Sequence, residues 1–402
     1  MNVHVTVVGI GSDGWDGLPA TSRALVEGAT TVLGGRRHLE LVPAIPGQDR
    51  IVWPSPLRAE LPRLLAQARG PVVAMASGDP LVSGIGTTLI DLLGSKHVTV
   101  VPAVSSVALA RARMGWPAES VGVVSLVGRD VRLVVPALSF GRRLLVLSSD
   151  GSTPAAVAEL LVELGWGDSR LVALGDLGGP DESRTESTAR EWDGAEAPRL
   201  HVLAVEVGGG GPGWAAGGVL PDDAFEHSGQ ITKRDLRASA LARLAPAPGQ
   251  LLWDVGAGSG SVGVEWMRAW PSARTIAIEP RADRAALVRR NAERHGVPGL
   301  RVVEDGAPGG LAGLDAPDAV FVGGGATVDG VLDTCWSALR SGGRLVVHAV
   351  TAETEGVLLD RYRRHGGELV RLHAERAEPL GTFTGWTPAR AVSQWSIVKG
   401  DS

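Results

Sequence analysis

The chain has 402 residues, 44% of them hydrophobic, with 39 Lys and Arg against 44 Asp and Glu. That length favours two domains of ordinary size. Residues 1–207 hold 18 basic and 22 acidic residues and the remainder 21 and 22, so neither half carries the basic excess of a nucleic-acid binder. A single cysteine, Cys335, excludes an intrachain disulfide framework and reads as helical core. No uncharged apolar run reaches the roughly 18 residues of a membrane span. The start, MNVHVTVVGIG, reads as a strand and not as a signal peptide, which leads to the expectation of a cytoplasmic protein.

His4–Val8 runs apolar without alternation, predicting a buried parallel strand, and leads into Gly9, Gly11 and Gly14. The next helix is expected over Pro19–Glu27, several residues too late for a dinucleotide fingerprint. A short strand, Val32–Leu33, precedes Gly34-Gly35-Arg36-Arg37-His38. Pro71–Ala76 reads as a buried strand entering Ser77-Gly78-Asp79-Pro80, then Gly84-Ile85-Gly86 and a helix over Thr87–Leu93. Val98–Val101 is a strand leading to Pro102-Ala103-Val104-Ser105-Ser106 and another helix, and Gly122–Leu126 ends at Gly128-Arg129-Asp130. Polar, glycine-bearing loops therefore recur at strand carboxyl ends, the edge at which open α/β sheets bind ligands. A strand at Arg143–Leu147, a helix at Pro154–Leu164, a strand at Arg170–Leu174, a turn at Gly178–Glu182 and a strand at Arg199–Val207 follow. The first half is thus expected to be bipartite, with a break near Asp130–Pro136.

The glycine-rich run 208–218 reads as a linker. Beyond it, Phe225–Ile231 precedes a helix over Lys233–Leu244, with Thr232 as its expected cap and Asp235 three residues on. Leu251–Trp266, LLWDVGAGSGSVGVEW, reads as buried strand, tight turn and helix: Asp254 stands near the strand end, Gly256, Gly258 and Gly260 form the turn, and the helix opens at Ser261. The spacing lacks the last glycine of Gly-x-Gly-x-x-Gly, which counts against a nicotinamide-dependent dehydrogenase. The next strand, Thr275–Ile278, ends at Glu279, an acid suited to accepting ribose hydroxyls or, alternatively, to capping the following helix. A third strand, Leu300–Val303, ends at Glu304-Asp305. Asp318–Val322 enters Gly323-Gly324-Gly325, followed by a helix over Val328–Leu339, a strand over Arg344–Val350 and a helix over about Glu353–His365. Two closing runs, Glu368–Ala374 and Ala391–Val398, are expected to pair as an antiparallel hairpin at the sheet edge.

Acids at three successive strand ends around a glycine loop resemble the Rossmann-like methyltransferases, which bind S-adenosylmethionine (SAM) and not NAD. More specifically, residues 219–402 resemble the decarboxylating precorrin methyltransferase domain, through Gly229-Gln230-Ile231-Thr232-Lys233 ahead of the glycine loop and Gly306-Ala307-Pro308 after Asp305. Residues 1–207 resemble the tetrapyrrole (class III) methyltransferases, through Val8-Gly9-Ile10-Gly11, Ser77-Gly78-Asp79-Pro80 with Gly84-Ile85-Gly86, and Pro102-Ala103-Val104-Ser105-Ser106. The resemblance implies an α/β protein, with an N-terminal bipartite tetrapyrrole-methylase fold and a C-terminal Rossmann-like class I fold. It implies two SAM sites. The first would use Gly9, Gly11, Gly78, Asp79, Pro80, Gly84, Ser105 and Ser106. The second would use Gln230, Thr232, Asp254, Gly256, Gly258, Gly260, Glu279, Asp305, Gly306 and Ala307. Val127 departs from the pattern, which has His before Gly128-Arg129.

The resemblance further implies a reaction of cobalamin synthesis: precorrin-6B and two SAM give precorrin-8X, two S-adenosylhomocysteine (SAH) and CO2. The first half would methylate C5; the second would methylate C15 and release the ring-C acetate carboxyl. Homo-oligomers are implied, with no nucleic-acid or membrane partner. Reduced tetrapyrrole meso carbons are enamine-like and a sulfonium methyl is already electrophilic, so the protein is expected mainly to align them. No metal is expected, since no Cys/His cluster has ligand spacing. His348 is a candidate catalytic residue, or a hydrogen-bonded structural one. His227, beside Glu226, is a candidate for the substrate's carboxylates, or an exposed loop residue. Arg36, Arg37, Arg129 and Arg234 are candidates for pairing with acetate and propionate arms, or are solvated surface. Competing functions are SAM-dependent methylation of RNA or protein and a non-catalytic SAM sensor. The absence of a basic, aromatic stripe weighs against RNA, and a protein-modifying diphthine synthase would explain only the first half. Two SAM-type sites weigh against a sensor.

Overall fold

The computed structural model describes residues 3–194, 196–212 and 218–400. They belong to two compact units, Met1–Val131 with Ser139–Gly213, and Arg132–Leu138 with Trp214–Ser402.

Buried β-branched runs build the first sheet of the first unit: β1 (Val5–Ile10), β2 (Thr31–Gly34), β3 (Asp49–Val52), β4 (Val72–Ser77) and β5 (Val98–Val101), in the order β3-β2-β4-β1-β5. All of its pairings are parallel. Val5, Val7, Val8 and Ile10 of β1 are fully buried because apolar layers cover both faces. Such double cover is what makes a strand continuously apolar instead of alternating. The second sheet holds β6 (Val121–Ser125), β7 (Arg143–Leu147), β8 (Arg170–Gly175), β9 (Ser183–Thr188) and β10 (His201–Glu206), in the order β6-β7-β10-β8-β9. Here only β6 and β7 run parallel; β10 lies antiparallel to both β7 and β8.

The second unit carries one seven-stranded sheet: β11 (Leu251–Val255), β12 (Arg274–Ile278), β13 (Arg301–Val303), β14 (Ala319–Val322), β15 (Arg344–Ala349), β16 (Glu368–Leu372) and β19 (Val392–Val398). Between the last two stand β17 (Glu375–Leu380) and β18 (Phe383–Pro388), a separate two-stranded hairpin. The strand order β13-β12-β11-β14-β15-β19-β16 keeps the first five parallel and the last two antiparallel. The α/β class and the antiparallel closing pair agree with the sequence. The pair is not a bare edge hairpin, however: β19 lies inside the sheet and only β16 is the edge.

Other differences have local causes. β3 and β9 are half-exposed or polar edge strands, without the apolar run that announces a strand. The unanticipated helix Leu57–Gln67 contains Pro62, which reads as a breaker. The helix Arg234–Leu244 is preceded by Lys233 in extended conformation and has no side-chain cap. Thr232 instead offers its carbonyl to Arg237. The stretch Val131–Ala137 is a 3-10 turn, and the segment Arg132–Leu138, which takes in most of it, belongs to the second unit, where Gly296 leaves room for Val135 and Pro136.

Of the expected linker 208–218, residues 213–217 lie outside the described residues. The part before them is anchored to the first unit. Gly208 and the Ser169 hydroxyl exchange two hydrogen bonds of 3.1 and 3.2 Å. Gly211 lies so close to Trp166 that a Cβ there would stand 2.2 Å from the ring.

Candidate active sites

In the first unit the loops after β1, β4 and β5 are held together by backbone contacts. Gly78 donates to the Ile10 carbonyl and accepts from the Ala103 amide, each at 3.0 Å. A Cβ on Gly9 would lie 1.9 Å from the Gly78 oxygen and 2.6 Å from the Ala103 nitrogen. Gly84 and Gly86 likewise fold against the Pro80 carbonyl, which accepts the Gly86 amide at 3.1 Å. Asp79 Oδ1 accepts the Leu81 amide at 2.9 Å, shaping the turn around Pro80. Ser105 caps the helix Ser106–Met114, its hydroxyl accepting the Ala108 amide at 3.1 Å.

These loops border a cavity of about 680 Å³, lined on its other side by Leu174, His201 and Val202 of the second sheet and by Asp176, just past its strand β8. Of the residues expected here, Gly11, Gly78, Asp79, Gly84, Ser105 and Ser106 line it. Gly9 and Pro80 do not line it; they stand behind and permit the close approaches that shape it. Val127 does line it, so the departure from the family pattern faces this space.

Several lining residues carried no signal in the sequence. His38 Nε2 lies 2.8 Å from the Ser77 hydroxyl; burial and the adjacent Arg37 push its pKa down to about 4. His201 donates from Nδ1 to the Pro198 carbonyl at 2.7 Å, and burial lowers its pKa. Both imidazoles are therefore neutral near pH 7. Arg37, a candidate named from the sequence, also lines this wall, and Asp176 and Arg199 are its remaining charged groups beside Asp79. Arg36 and Arg129 do not line it.

In the second unit, β11 delivers Asp254 to a fully buried position where Oδ2 accepts the Gly263 amide at 3.0 Å. Burial pushes its carboxyl up to about 7; the Gly263 bond opposes this and the nearby Glu279 charge adds to it. The Gly256 and Ala257 amides both donate to the Ile278 carbonyl, at 2.9 and 3.2 Å, tying the loop to the end of β12. Gly256 has φ +69°, and a Cβ there would stand 2.8 Å from the Gly324 nitrogen, so only glycine fits this cradle. Glu279 is 2% exposed. It accepts the Gly258 amide on Oε2 at 2.9 Å and, on Oε1 at 3.1 Å, the amide of Arg281, the residue just before the helix Ala282–Arg294. Each oxygen keeps a second lone pair.

The chain ahead of the glycine loop is fastened by two buried residues that sequence reasoning missed. Arg237, with no exposed surface, pairs with Asp222 at 2.8 Å and Glu265 at 2.9 Å and donates to the Leu220 and Thr232 carbonyls. Asn291 accepts the Glu226 amide at 2.8 Å and donates to the carbonyls of Glu226 and of Ser259, inside the glycine loop, at 2.9 and 2.8 Å. Gln230 is exposed, with its carbonyl 3.9 Å from where a Gly258 Cβ would stand. Asp305 is exposed at the end of β13 and accepts the Gly306 amide at 2.7 Å, while Ala307 packs on the main core. The Thr232 carbonyl accepts from Arg237, as described.

His348 is 7% exposed, its ring edge-on to Phe321 at 5.0 Å. Nε2 lies 2.8 Å from the Gln394 amide. The amide orientation that satisfies all partners donates to His348 and accepts from Arg243 and Ser239. Burial pushes this imidazole down to about 4, so it is a neutral, hydrogen-bonded core residue. His227 accepts the Gly229 amide at 3.1 Å on the surface, and Arg234 is exposed. Among the described residues no group of three His, Cys, Asp or Glu is arranged to hold a metal ion, and no helix is long and apolar enough to cross a membrane.

A bipartite unit around one cavity, joined in one chain to a Rossmann-like sheet with a glycine loop, defines a two-domain methyltransferase. Residues 4–193 match the Tetrapyrrole (Corrin/Porphyrin) Methylases and residues 223–399 the Precorrin methyltransferase domain. The chain is 47% identical over 402 residues to a precorrin-6Y C(5,15)-methyltransferase (decarboxylating) of Sinorhizobium sp, covering 98% of this chain and 96% of that one. It is 44% identical over 401 residues to the protein of the same description from Mycobacterium tuberculosis, covering 98% and 100%. A solved structure described as the C-terminal domain of the Rhodobacter capsulatus precorrin-6Y C5,15-methyltransferase is 48% identical, covering 45% of this chain and 97% of that one, with a TM-score of 0.43. The chain belongs to the family of decarboxylating precorrin-6Y C(5,15)-methyltransferases.

Proposed function

We propose that this protein methylates precorrin-6Y, also called precorrin-6B, at C5 and C15 and releases the ring-C acetate carboxyl as CO2, consuming two SAM and yielding precorrin-8X and two SAH. The observation that carries this reading is the pairing, on one chain with full-length likeness to the decarboxylating relatives, of two units whose sheets differ in topology and each carry glycine-bearing loops at strand ends. Residues 1–207 are assigned C5 methylation; residues 219–402 are assigned C15 methylation and decarboxylation.

The residues present suit SAM at both sites. Gly256 opens a backbone cradle that a Cβ would fill, and the buried Glu279 retains lone pairs for ribose hydroxyls. Gln230, Thr232, Asp254, Gly258, Gly260, Asp305, Gly306 and Ala307 complete that site in this reading. Gly11, Gly78, Asp79, Gly84, Ser105 and Ser106 hold the donor in the first cavity, with Gly9 and Pro80 shaping the wall. When bound, SAM supplies an electrophilic methyl on a sulfonium. The protein's contribution is to bind, orient and exclude water, so that the nucleophilic meso carbon meets that methyl in line. The electron sink for decarboxylation is assigned to the substrate's own conjugated ring system. The neutral, core-bound His348 has no part in it.

The functional unit is a homo-oligomer. The hairpin β17–β18 presents Leu380, Phe383 and Trp386, each at least 69% exposed, which supports this part of the reading.

The test is to incubate residues 1–207 and 219–402, each alone and in succession, with precorrin-6Y and methyl-labelled SAM. The expected result is C5 label only where 1–207 is present, and CO2 only where 219–402 is present. Label and CO2 both arising from 1–207 alone would overturn the assignment.

A further inference from the structure

Among the residues that line the first cavity, Trp53 is the one Trp, Phe or Tyr. The chain is rich in tryptophan, with 12 Trp against 4 Phe and 1 Tyr. Trp116, Trp166, Trp253, Trp266 and Trp395 serve as core, each buried. Trp53 is placed differently. It is half-buried, packing with Leu57 and Ile85 on the apolar cluster that covers one face of the first sheet, and all three also line the cavity.

The indole is presented from a stiff segment. The Trp53 amide donates to the Gly34 carbonyl at 3.0 Å, which extends the β2–β3 pairing beyond Val52. Pro54 follows, and a residue before proline is held near extended backbone. An aromatic ring on such a segment loses little freedom when a ligand covers it.

The sheet order separates this ring from the loops assigned to SAM. Those loops follow β1, β4 and β5, which are neighbours, whereas Trp53 follows β3, at the far edge of the order β3-β2-β4-β1-β5. With strands about 4.8 Å apart, β3 lies roughly 10 Å from β4 and roughly 14 Å from β1. The cavity, about 680 Å³, has the size that suits one drug-sized ligand. A methyl donor and a tetrapyrrole together therefore need wall beyond the donor loops, and the wall on offer past β4 is aromatic and apolar. A conjugated macrocycle is the partner that a flat indole face suits, through offset stacking added to the burial of apolar area.

We infer that Trp53 is the stacking platform for the substrate's macrocycle in the first cavity, with Leu57 and Ile85 as the apolar shelf beside it. This rests on the reading of that cavity as the C5-methylation site. It makes Trp53 a determinant of tetrapyrrole affinity and not of SAM affinity.

The test uses the full chain and its variants Trp53→Phe and Trp53→Leu. Phe keeps a flat π face, while Leu keeps apolar bulk and loses the face. Uroporphyrin, a porphyrin probe, is titrated by its fluorescence, and SAH by calorimetry on the same samples. Trp53→Leu should lose roughly three- to tenfold in porphyrin affinity, the size of the geometry-dependent part of an aromatic contact, and Trp53→Phe should lose less. SAH affinity should be unchanged in both, which also shows that the cavity still forms. With precorrin-6Y, KM for the C5 step should rise in Trp53→Leu with kcat largely kept, and the C15 step should be unaffected. Equal porphyrin affinity in wild type and Trp53→Leu would overturn the inference while C5 methylation by wild type stands. So would equal losses in the two variants, or a loss of SAH affinity as large as that of the porphyrin. Absence of C5 methylation by wild type would instead overturn the reading beneath it.

Discussion

Glu279 Oε2 accepts the Gly258 amide at 2.9 Å, so the acid at the end of β12 holds the glycine loop that follows β11. Its other oxygen accepts the amide of Arg281, just before the helix beginning at Ala282. A carboxylate in this position can preorganise the loop and still offer lone pairs to a ligand. Glu279→Ala leaves two backbone amides without their acceptor, at about 1–3 kcal/mol for each buried one. Calorimetry with SAH should find one of two binding events weakened tenfold or more, and product analysis should find C15 methylation lost with C5 methylation kept. Two unchanged binding events would contradict the role given to Glu279.

Gly9 stands behind the wall of the first cavity and does not line it. A methyl there would stand 1.9 Å from the Gly78 oxygen, and backbone on both sides leaves it nowhere to go. Gly9→Ala should therefore cost about 3 kcal/mol or more in the first unit and abolish C5 methylation while sparing C15. Denaturant unfolding, with the methylated positions read by NMR, checks both halves of that expectation.

Much of this was legible in the sequence, and the misses share a cause. Leu251–Trp266 announces itself because a buried strand, three glycines and an apolar helix are consecutive, and the helix does open at Ser261. The loops carrying Gly78 and Ser105 were visible for the same reason. Arg237 and Asn291 were not, because their partners Glu265 and Glu226 lie 28 and 65 residues away. A buried Asn inside a helix is spelled like an exposed one. His201 and Asp176 face the first cavity only because β8 and β10 pair antiparallel in a sheet whose order no local pattern reveals. The hairpin β17–β18 was missed because its strands are almost wholly exposed and show no alternation of apolar and polar residues.

Histidine burial sets an acid limit on the second unit. The pKa of His348 is pushed down to about 4 from an ordinary 6.5, chiefly by burial. Between those values the unfolded chain binds a proton that the folded chain does not, so stability falls as pH falls through this window. Asp254 acts with the opposite sign, since its raised value favours the folded state's proton up to about pH 7. Unfolding midpoints compared at pH 7 and pH 4.5 should drop less in His348→Asn than in wild type. Equal drops would show that His348 does not carry this linkage.

The exposed hairpin predicts an assembly defect. Phe383 is 78% exposed and Trp386 72%. Phe383→Glu should shift the protein to a smaller species in light scattering coupled to gel filtration, with each unit still folded. An unchanged mass would remove the hairpin from the oligomer interface.

The account as a whole is tested most directly by turnover of the full chain, and of Gly9→Ala and Glu279→Ala, with precorrin-6Y and ¹³C-methyl SAM, read by NMR of the product. Wild type should place label at both C5 and C15, Gly9→Ala at C15 alone, and Glu279→Ala at C5 alone. Label at both carbons surviving in either variant, or lost together from Gly9→Ala, would contradict two separate methylation sites on this chain.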